Sequence, residues 1–164
     1  MAWVGMPTCN HGAPTLGRVE DSEARLRFAA ARVARVATVR PDGRPHLVPV
    51  VFAVLPVLPN LPDSGGDVVW SAVDDKPKST RALRRLANVE AHPAVVLLVD
   101  HYDDDWSRLW WVRADGVAAV VRVGEPGADE ALDALAAKYS QYAASRPAGP
   151  LLRVEVTRWS GWRS

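Results

Sequence analysis

Seven short runs of β-branched and other apolar residues, each closed by turn-forming residues, constrain this chain more than any other feature. They fall at 34–40, 46–55, 68–73, 95–99, 109–113, 117–123 and 151–159. Pro41-Asp42-Gly43 separates the first two runs and Ala114-Asp115-Gly116 the fifth and sixth, so each pair is expected to be a hairpin. Pro49 removes one ladder donor from the second run, which puts that strand at an edge, bulges it, or leaves its backbone facing something else. In the last run Leu152, Val154 and Val156 alternate with Arg153 and Glu155, the pattern of a half-buried strand.

Three helical patterns interrupt the strands. Leu26, Ala29, Ala30 and Val33 form one apolar stripe, with Asp21 or Ser22 available as a cap. Leu83, Leu86, Ala87 and Glu90 follow a cap at Ser79 or Thr80, with Arg81, Arg84 and Arg85 on the opposite, solvated side and His92-Pro93 as the stop. Leu132, Leu135, Ala136 and Tyr139 mark the third, after Pro126-Gly127. This order predicts a mainly β, barrel-like α+β domain over 21–164 and argues against a doubly wound parallel sheet. Residues 1–20, with Gly5, Pro7, Gly12, Pro14 and Gly17 and no periodicity, read as a mobile tail.

Composition removes several function classes. Seventeen arginines and three lysines against nineteen acids leave a formal charge of +1, so no overall field draws in nucleic acid or an anionic membrane. The longest apolar run, Leu47–Leu58, contains Pro49 and Pro56 and is shorter than the ~20 residues of a membrane helix. With no secretion signal in the first twenty residues, a cytoplasmic location is expected. The single cysteine, Cys9, excludes an internal disulfide framework and a four-cysteine metal centre. The absence of isoleucine and the excess of arginine indicate coding bias, which makes single arginines weak evidence and the two lysines of one short segment, Lys76 and Lys78, informative.

That segment carries the chemistry. No phosphate-binding glycine loop, nucleophile elbow or histidine pair at helical spacing is present. Trp70-Ser71-Ala72-Val73-Asp74-Asp75-Lys76-Pro77-Lys78-Ser79-Thr80 instead runs from a strand into lysines and hydroxyls at a helix start. A helix N-terminus exposes unpaired N–H groups, and ammonium and hydroxyl groups beside it add charge-assisted hydrogen bonds to a phosphate. The alternative is a solvated loop whose lysines balance Asp74 and Asp75 and whose Ser79 only caps the helix.

The order of helix, Pro49-containing hairpin, strand ending in Ser71-Ala72-Val73, Lys76-x-Lys78, helix and strand resembles the pyridoxamine-phosphate-oxidase-like split β-barrel family. The stretch from Asp100 to Gly116, with Trp106, Trp110 and Trp111, looks like the branch of that family that uses the deazaflavin coenzyme F420. The resemblance implies an FMN-binding-like split barrel that forms a homodimer, with a flavin or deazaflavin in each of two clefts between the copies. It assigns Lys76 and Lys78 to the cofactor phosphate and Ser79 and Thr80 to donors at the helix start. Ser71, Ala72 and Val73 would lie along the ring and ribityl chain, and Val48, Pro49 and Val50 would line the ring. Arg108, Trp110 and Trp111 belong to the part supplied across the interface. The arginine-and-lysine signature of the oxidase subfamily is missing from Leu47–Leu55, so a reductase of another substrate is implied rather than pyridoxamine phosphate oxidation.

In such a protein the coenzyme carries the hydride and the polypeptide binds, orients and excludes water. Tyr102 or His101 are the candidates for donating a proton. FMN is the alternative cofactor, and a non-catalytic flavin or haem carrier the alternative class. The stretch Asp100-His101-Tyr102-Asp103-Asp104-Asp105 could face a hard cation but lacks the glycine and terminal glutamate of a calcium loop and reads as a solvated loop, so no metal is expected.

Overall fold

The structure, a computed structural model, describes residues 17–56, 66–73 and 80–164. In chain order it contains α1 (Asp21–Ala30), β1 (Ala34–Val39), β2 (Pro45–Val50), β3 (Ala53–Leu55), β4 (Val68–Ala72) and α2 (Thr80–Ala91). These are followed by β5 (Ala94–His101), a 3-10 turn at Trp106–Arg108, β6 (Trp110–Val121), α3 (Ala128–Lys138), α4 (Ser140–Ala144) and β7 (Leu151–Arg163). Among the described residues no helix is long and apolar enough to cross a membrane.

All neighbouring strands are antiparallel, in the order β2-β1-β5-β6-β7-β4-β3. β2 and β3 sit at opposite ends of that order, yet only Val51 and Phe52 separate them in the chain. Six strand spacings in a flat sheet would set the two edges roughly 29 Å apart. Three Cα steps reach at most about 11 Å. The sheet therefore has to curl until its edges meet, and the α+β split barrel expected from the sequence follows from that two-residue link.

One core fills the curl. Val36, Leu97, Val99, Val112, Val69 and Val154 project inward from five strands and are buried with Phe52. α1 plugs this interior through Ala24 and Phe28, whose ring lies 4.9 Å from that of Phe52 and 5.1 Å from that of Trp159. A second core lies outside β4, where Trp70, Ala72, Val68 and Leu151 meet Ala128, Ala131, Leu132 and Leu135 of α3. Covered on both sides, β4 is buried at every position, which explains why its sequence is a continuous apolar run.

The β1–β2 hairpin forms as expected, with Gly43 at φ +81° and the Arg40 amide donating to the Arg44 carbonyl at 2.9 Å. Pro49 lies on β2, at the end of the strand order, where a missing donor faces no described strand. Four expectations are corrected. The run 46–55 is two strands, because the chain crosses from one sheet edge to the other at Val51–Phe52. Ala114-Asp115-Gly116 is not a turn but the middle of the twelve-residue β6, where the pairing passes from Asp115↔Arg158 to Gly116↔Val156 and Thr157 is the extra residue. The buried face of α1 is Ala24 and Phe28, whereas Leu26 is 73% exposed, because one phenylalanine reaches the core and the helix ends before Val33. Arg85 is buried rather than solvated, beside Leu86, Asn88 and Val89 on a wide inner face of α2. There are also four described helices where three were expected. Val19, expected in the tail, is buried, and its amide donates to the Gly161 carbonyl at 3.1 Å.

Gly116 is there because β7 approaches closely. A Cβ at this position would collide with the Glu155 carbonyl oxygen and come within 2.8 Å of the Val154 methyl. Backbone cannot yield as a side-chain tip can, so Gly116→Ala is expected to cost about 1–3 kcal/mol in urea unfolding. A loss under ~0.5 kcal/mol, the usual range for a surface change, would contradict this reading.

Candidate functional site

The strand switch joins two segments that the sequence keeps apart. β3 begins at Ala53, which pairs with Trp70, so the register carries the end of β2 to the end of β4, where the chain leads on towards α2. Val48 and Val50 pair with Val36 and Ala34 and face the interior, Val50 buried and Val48 half-buried. Pro49 pairs with Arg35 and is exposed on the outer face. No described strand pairs with the far edge of β2, so alternate backbone groups there face away from the sheet.

Ser71, Ala72 and Val73 are all buried, Ser71 opposite Leu152 and Ala72 opposite Leu151. The Val73 amide donates to the Pro150 carbonyl at 3.0 Å. These side chains are packed within the chain, so a ligand beside them would meet mainly backbone. Thr80 is the first residue of α2, while Lys76, Lys78 and Ser79 lie outside the described residues.

The tryptophan segment divides by strand alternation. Trp110 pairs with His101 and continues the inward row, stacked on the His101 ring at 6.2 Å with the Arg27 guanidinium 5.2 Å from its centroid. Trp111 pairs with Asp100 and Trp162 and faces outward. Of the two, only Trp111 is presented on an open surface. Arg108 is exposed with Nη1 3.2 Å from Asp103 Oδ2, and Trp106 and Tyr102 are 77% and 75% exposed. His101 Nε2 lies 3.6 Å from the same Asp103 oxygen.

The acidic run is spent on its own turn. Asp103 accepts from the Asp105 amide at 3.0 Å, and Asp105 accepts from the Ser107 hydroxyl at 2.7 Å and the Ser107 amide at 3.0 Å. Those Ser107 donors hold the Asp105 carboxyl below its ordinary pKa. Among the described residues no group of three or more His, Cys, Asp or Glu is placed to hold a metal ion.

Two features were missed from sequence. The outer face of β2-β1-β5-β6-β7 presents Leu47 at 64% exposure, Trp162 at 38% and Val39 at 37%, with Val96, Leu98 and Trp111 half-buried. None of these belongs to either core. Arg35–Asp100 and Arg113–Asp115 ion pairs cross the same face. Strand alternation could have predicted this face; the misread hairpin at 114–116 hid it. The second feature is Tyr139, assigned from its spacing to a helix face. Its hydroxyl accepts from the Phe52 amide at 3.1 Å and lies 2.8 Å from the Phe52 carbonyl and 2.9 Å from the Arg32 carbonyl, both acceptors for its proton. That clamps the strand switch.

Lys138 guards the same corner, donating to the Ala29 carbonyl at 2.8 Å with its ammonium 4.0 Å from the Phe52 ring centroid. Burial, with Arg32 nearby, lowers its pKa to about 8. Below that value folded and unfolded chains both hold the proton and the burial cost is present in full. From about 8 towards the ordinary lysine value the unfolded chain holds more protons, so stability rises with pH. Solvent screening of this half-buried group limits the gain between pH 7 and 9.5 to about 1 kcal/mol. Tyr139, whose pKa burial raises, acts in the opposite sense above its ordinary value of 10.0. Urea unfolding of Lys138→Met is expected to lose the rise, and a wild-type chain without it would contradict the assignment.

Comparison with known proteins gives the family. The model of the family described as pyridoxamine 5'-phosphate oxidase matches residues 21–163. No curated protein gives a significant match. Among solved structures, a FAD-binding protein from Mesorhizobium loti is 18% identical with a TM-score of 0.62, covering 90% of this chain and 96% of its own. A conserved hypothetical protein from Mycobacterium tuberculosis is 20% identical with a TM-score of 0.65, covering 93% and 89%. A heme storage protein from Vibrio cholerae is 14% identical with a TM-score of 0.58, covering 84% and 90%. At these identities the structures speak for the fold, and the family model spans nearly the whole domain. The chain belongs to the pyridoxamine 5'-phosphate oxidase family.

Proposed function

We propose that the protein is an F420-dependent oxidoreductase that works as a homodimer and transfers a hydride between the coenzyme and a small-molecule acceptor. The observation that carries this reading is the strand switch, which brings the open edge of β2 around Pro49 to the end of β4, immediately before Lys76-x-Lys78-Ser79-Thr80. Charge and shape suit a phosphorylated ring system: cationic and hydroxyl donors follow β4, and a strand edge with a proline offers a flat surface free of one donor.

When bound, the deazaflavin supplies the hydride chemistry. Lys76 and Lys78 hold its phosphate, Ser79, Thr80 and the α2 N-terminus add donors, and the open backbone edge of Val48–Val50 lines its ring, since the Val48 and Val50 side chains point into the interior and Pro49 to the outer face. Ser71, Ala72 and Val73 contribute backbone along its chain. Arg108 and Trp111 of the second copy close the cleft and exclude water. Tyr102, exposed to solvent, is better placed than His101 to pass a proton to the reduced acceptor, because His101 is stacked on Trp110 and lies near Asp103. A structurally similar protein described as FAD-binding favours a second reading in which a flavin occupies the same cleft, FMN being the one expected from the resemblance.

An anaerobic titration with F420, FMN and haem tests this. F420 is expected to bind with quenching of its fluorescence and to turn over with an enone or quinone acceptor. Preference for FMN would move the protein to the second reading, and haem binding alone, or no binding, would overturn the oxidoreductase assignment. The outer sheet face supports the dimer, since among the described residues Leu47 and its apolar neighbours belong to neither core. In sedimentation equilibrium the wild type is expected at twice 17.8 kDa and Leu47→Asp at the single-chain mass. A wild type at the single-chain mass would refute the dimer.

A further inference from the structure

The β1–β2 turn and one face of α2 flank an open groove of about 370 Å³, lined by Arg40, Pro41, Asp42, Arg84, Ala87 and Asn88. Arg84, Ala87 and Asn88 follow i, i+3, i+4 spacing, so α2 turns a single face to the groove. Two arginines line this space, and the acid beside them is already engaged. Asp42 accepts from the Arg44 amide at 3.1 Å through one carboxylate oxygen and lies 3.1 Å from Arg44 Nε through the other. The Asn88 amide donates to Thr38 Oγ1 at 2.9 Å.

Most of the described arginines are already paired with an acid. Among the described residues Arg25, Arg27, Arg35, Arg44, Arg108, Arg113, Arg122, Arg146, Arg153 and Arg163 all sit in ion pairs with Asp or Glu. Arg40 and Arg84 are in none of these pairs, and neither are Arg18, Arg32 and Arg158; what sets the first two apart is that they line one groove. The Nε–H of Arg40 is buried with no acceptor among its neighbours, as is that of the ion-paired Arg113, so it is the rest of the Arg40 guanidinium that a ligand in the groove would meet. A buried donor without an acceptor bears its full desolvation cost, and folded proteins keep few of them. The geometry points to an anion-binding site in which Arg40 and Arg84 receive the phosphate or carboxylate oxygens of a small ligand. A guanidinium suits this task because its planar fork matches two oxygens of one oxyanion. The site is separate in sequence from the Lys76–Thr80 segment and does not rest on the coenzyme assignment. Its oxyanion has two sources: the acidic tail of F420, or an independent phosphate- or carboxylate-bearing molecule.

Calorimetric titration of the full chain, without coenzyme, with inorganic pyrophosphate and with citrate tests the site. The wild type is expected to bind at least one of them, and Arg84→Gln and Arg40→Gln each to weaken that binding at least tenfold. Arg40→Lys keeps the charge but not the fork and is expected to weaken it as well, while Arg122→Gln, which removes one positive charge elsewhere, leaves it unchanged. Arg84 is exposed, so its variant keeps the test valid should the Arg40 variants unfold. No binding by the wild type, equal binding by the Arg84 variant, or an equal loss in Arg122→Gln would each overturn the proposal. The source is then read from the coenzymes. Loss of F420 affinity in Arg84→Gln with FMN affinity unchanged supports the site and identifies the tail; loss of pyrophosphate binding alone supports it for a separate molecule.

Discussion

Replacing Tyr139 by phenylalanine is expected to lower the free energy of unfolding by about 2–4 kcal/mol while leaving the apolar packing of the ring in place. The hydroxyl accepts from the Phe52 amide and offers one proton to the carbonyls of Phe52 and Arg32. Phe52 is fully buried, so removing the oxygen strands its amide away from water, and each buried group left unmet costs about 1–3 kcal/mol. Phe52 lies in the two-residue link that forces the sheet to curl. The loss therefore falls where β2 ends and β3 begins, and hydrogen exchange in Tyr139→Phe should accelerate first at Val51–Leu55. Unfolding by urea gives the magnitude; a change under ~0.5 kcal/mol would mean that the hydroxyl is replaced by solvent and that the corner is not a clamp.

The second large effect is on binding. Lys76→Ala with Lys78→Ala is expected to weaken F420 affinity by about a hundredfold or more, since each charge-assisted contact to a phosphate is worth about 1.5–3 kcal/mol. The loss should exceed that of either single variant and shrink at high salt, because two cations act on one anion. The fold should be untouched, which near-identical urea midpoints would show. An affinity within threefold of the wild type would remove the lysines from the site.

Legibility from sequence depended on how local the cause was. Gly43 and Pro49 were readable because a positive φ and a missing N–H act on their own residues, and the structure has the first in a turn and the second on an edge strand. Gly116 was misread because Ala-Asp-Gly is equally good turn chemistry, while the real reason for the glycine is the Glu155 carbonyl of a strand some forty residues on. The face of α1 was misread for a related reason: four small or medium apolar residues made a regular stripe, but Phe28 had a cavity between Phe52 and Trp159 to fill. Trp110 and Trp111 were treated as one aromatic unit, although adjacent residues on a strand must face opposite sides. The strands that carry Val48–Val50 and Ser71–Val73 were legible, but not their adjacency, which depends on Val51–Phe52 carrying the chain across the sheet. Arg84 was readable only as part of a charged helix face with Arg81 and Arg85, and its meeting with Arg40 depends on how the β1–β2 turn lies against α2.

The claim that a complete cleft needs two chains is tested most directly by mixing half-sites. One chain carries Lys76→Ala and Lys78→Ala, the other Arg108→Ala and Trp111→Ala, and each alone should bind F420 poorly. Co-expressed with different tags, they should assemble heterodimers in which one cleft has both intact halves, restoring high-affinity F420 binding in about a quarter of all clefts after random exchange. Heterodimers that form and bind no better than either parent would contradict a shared cleft.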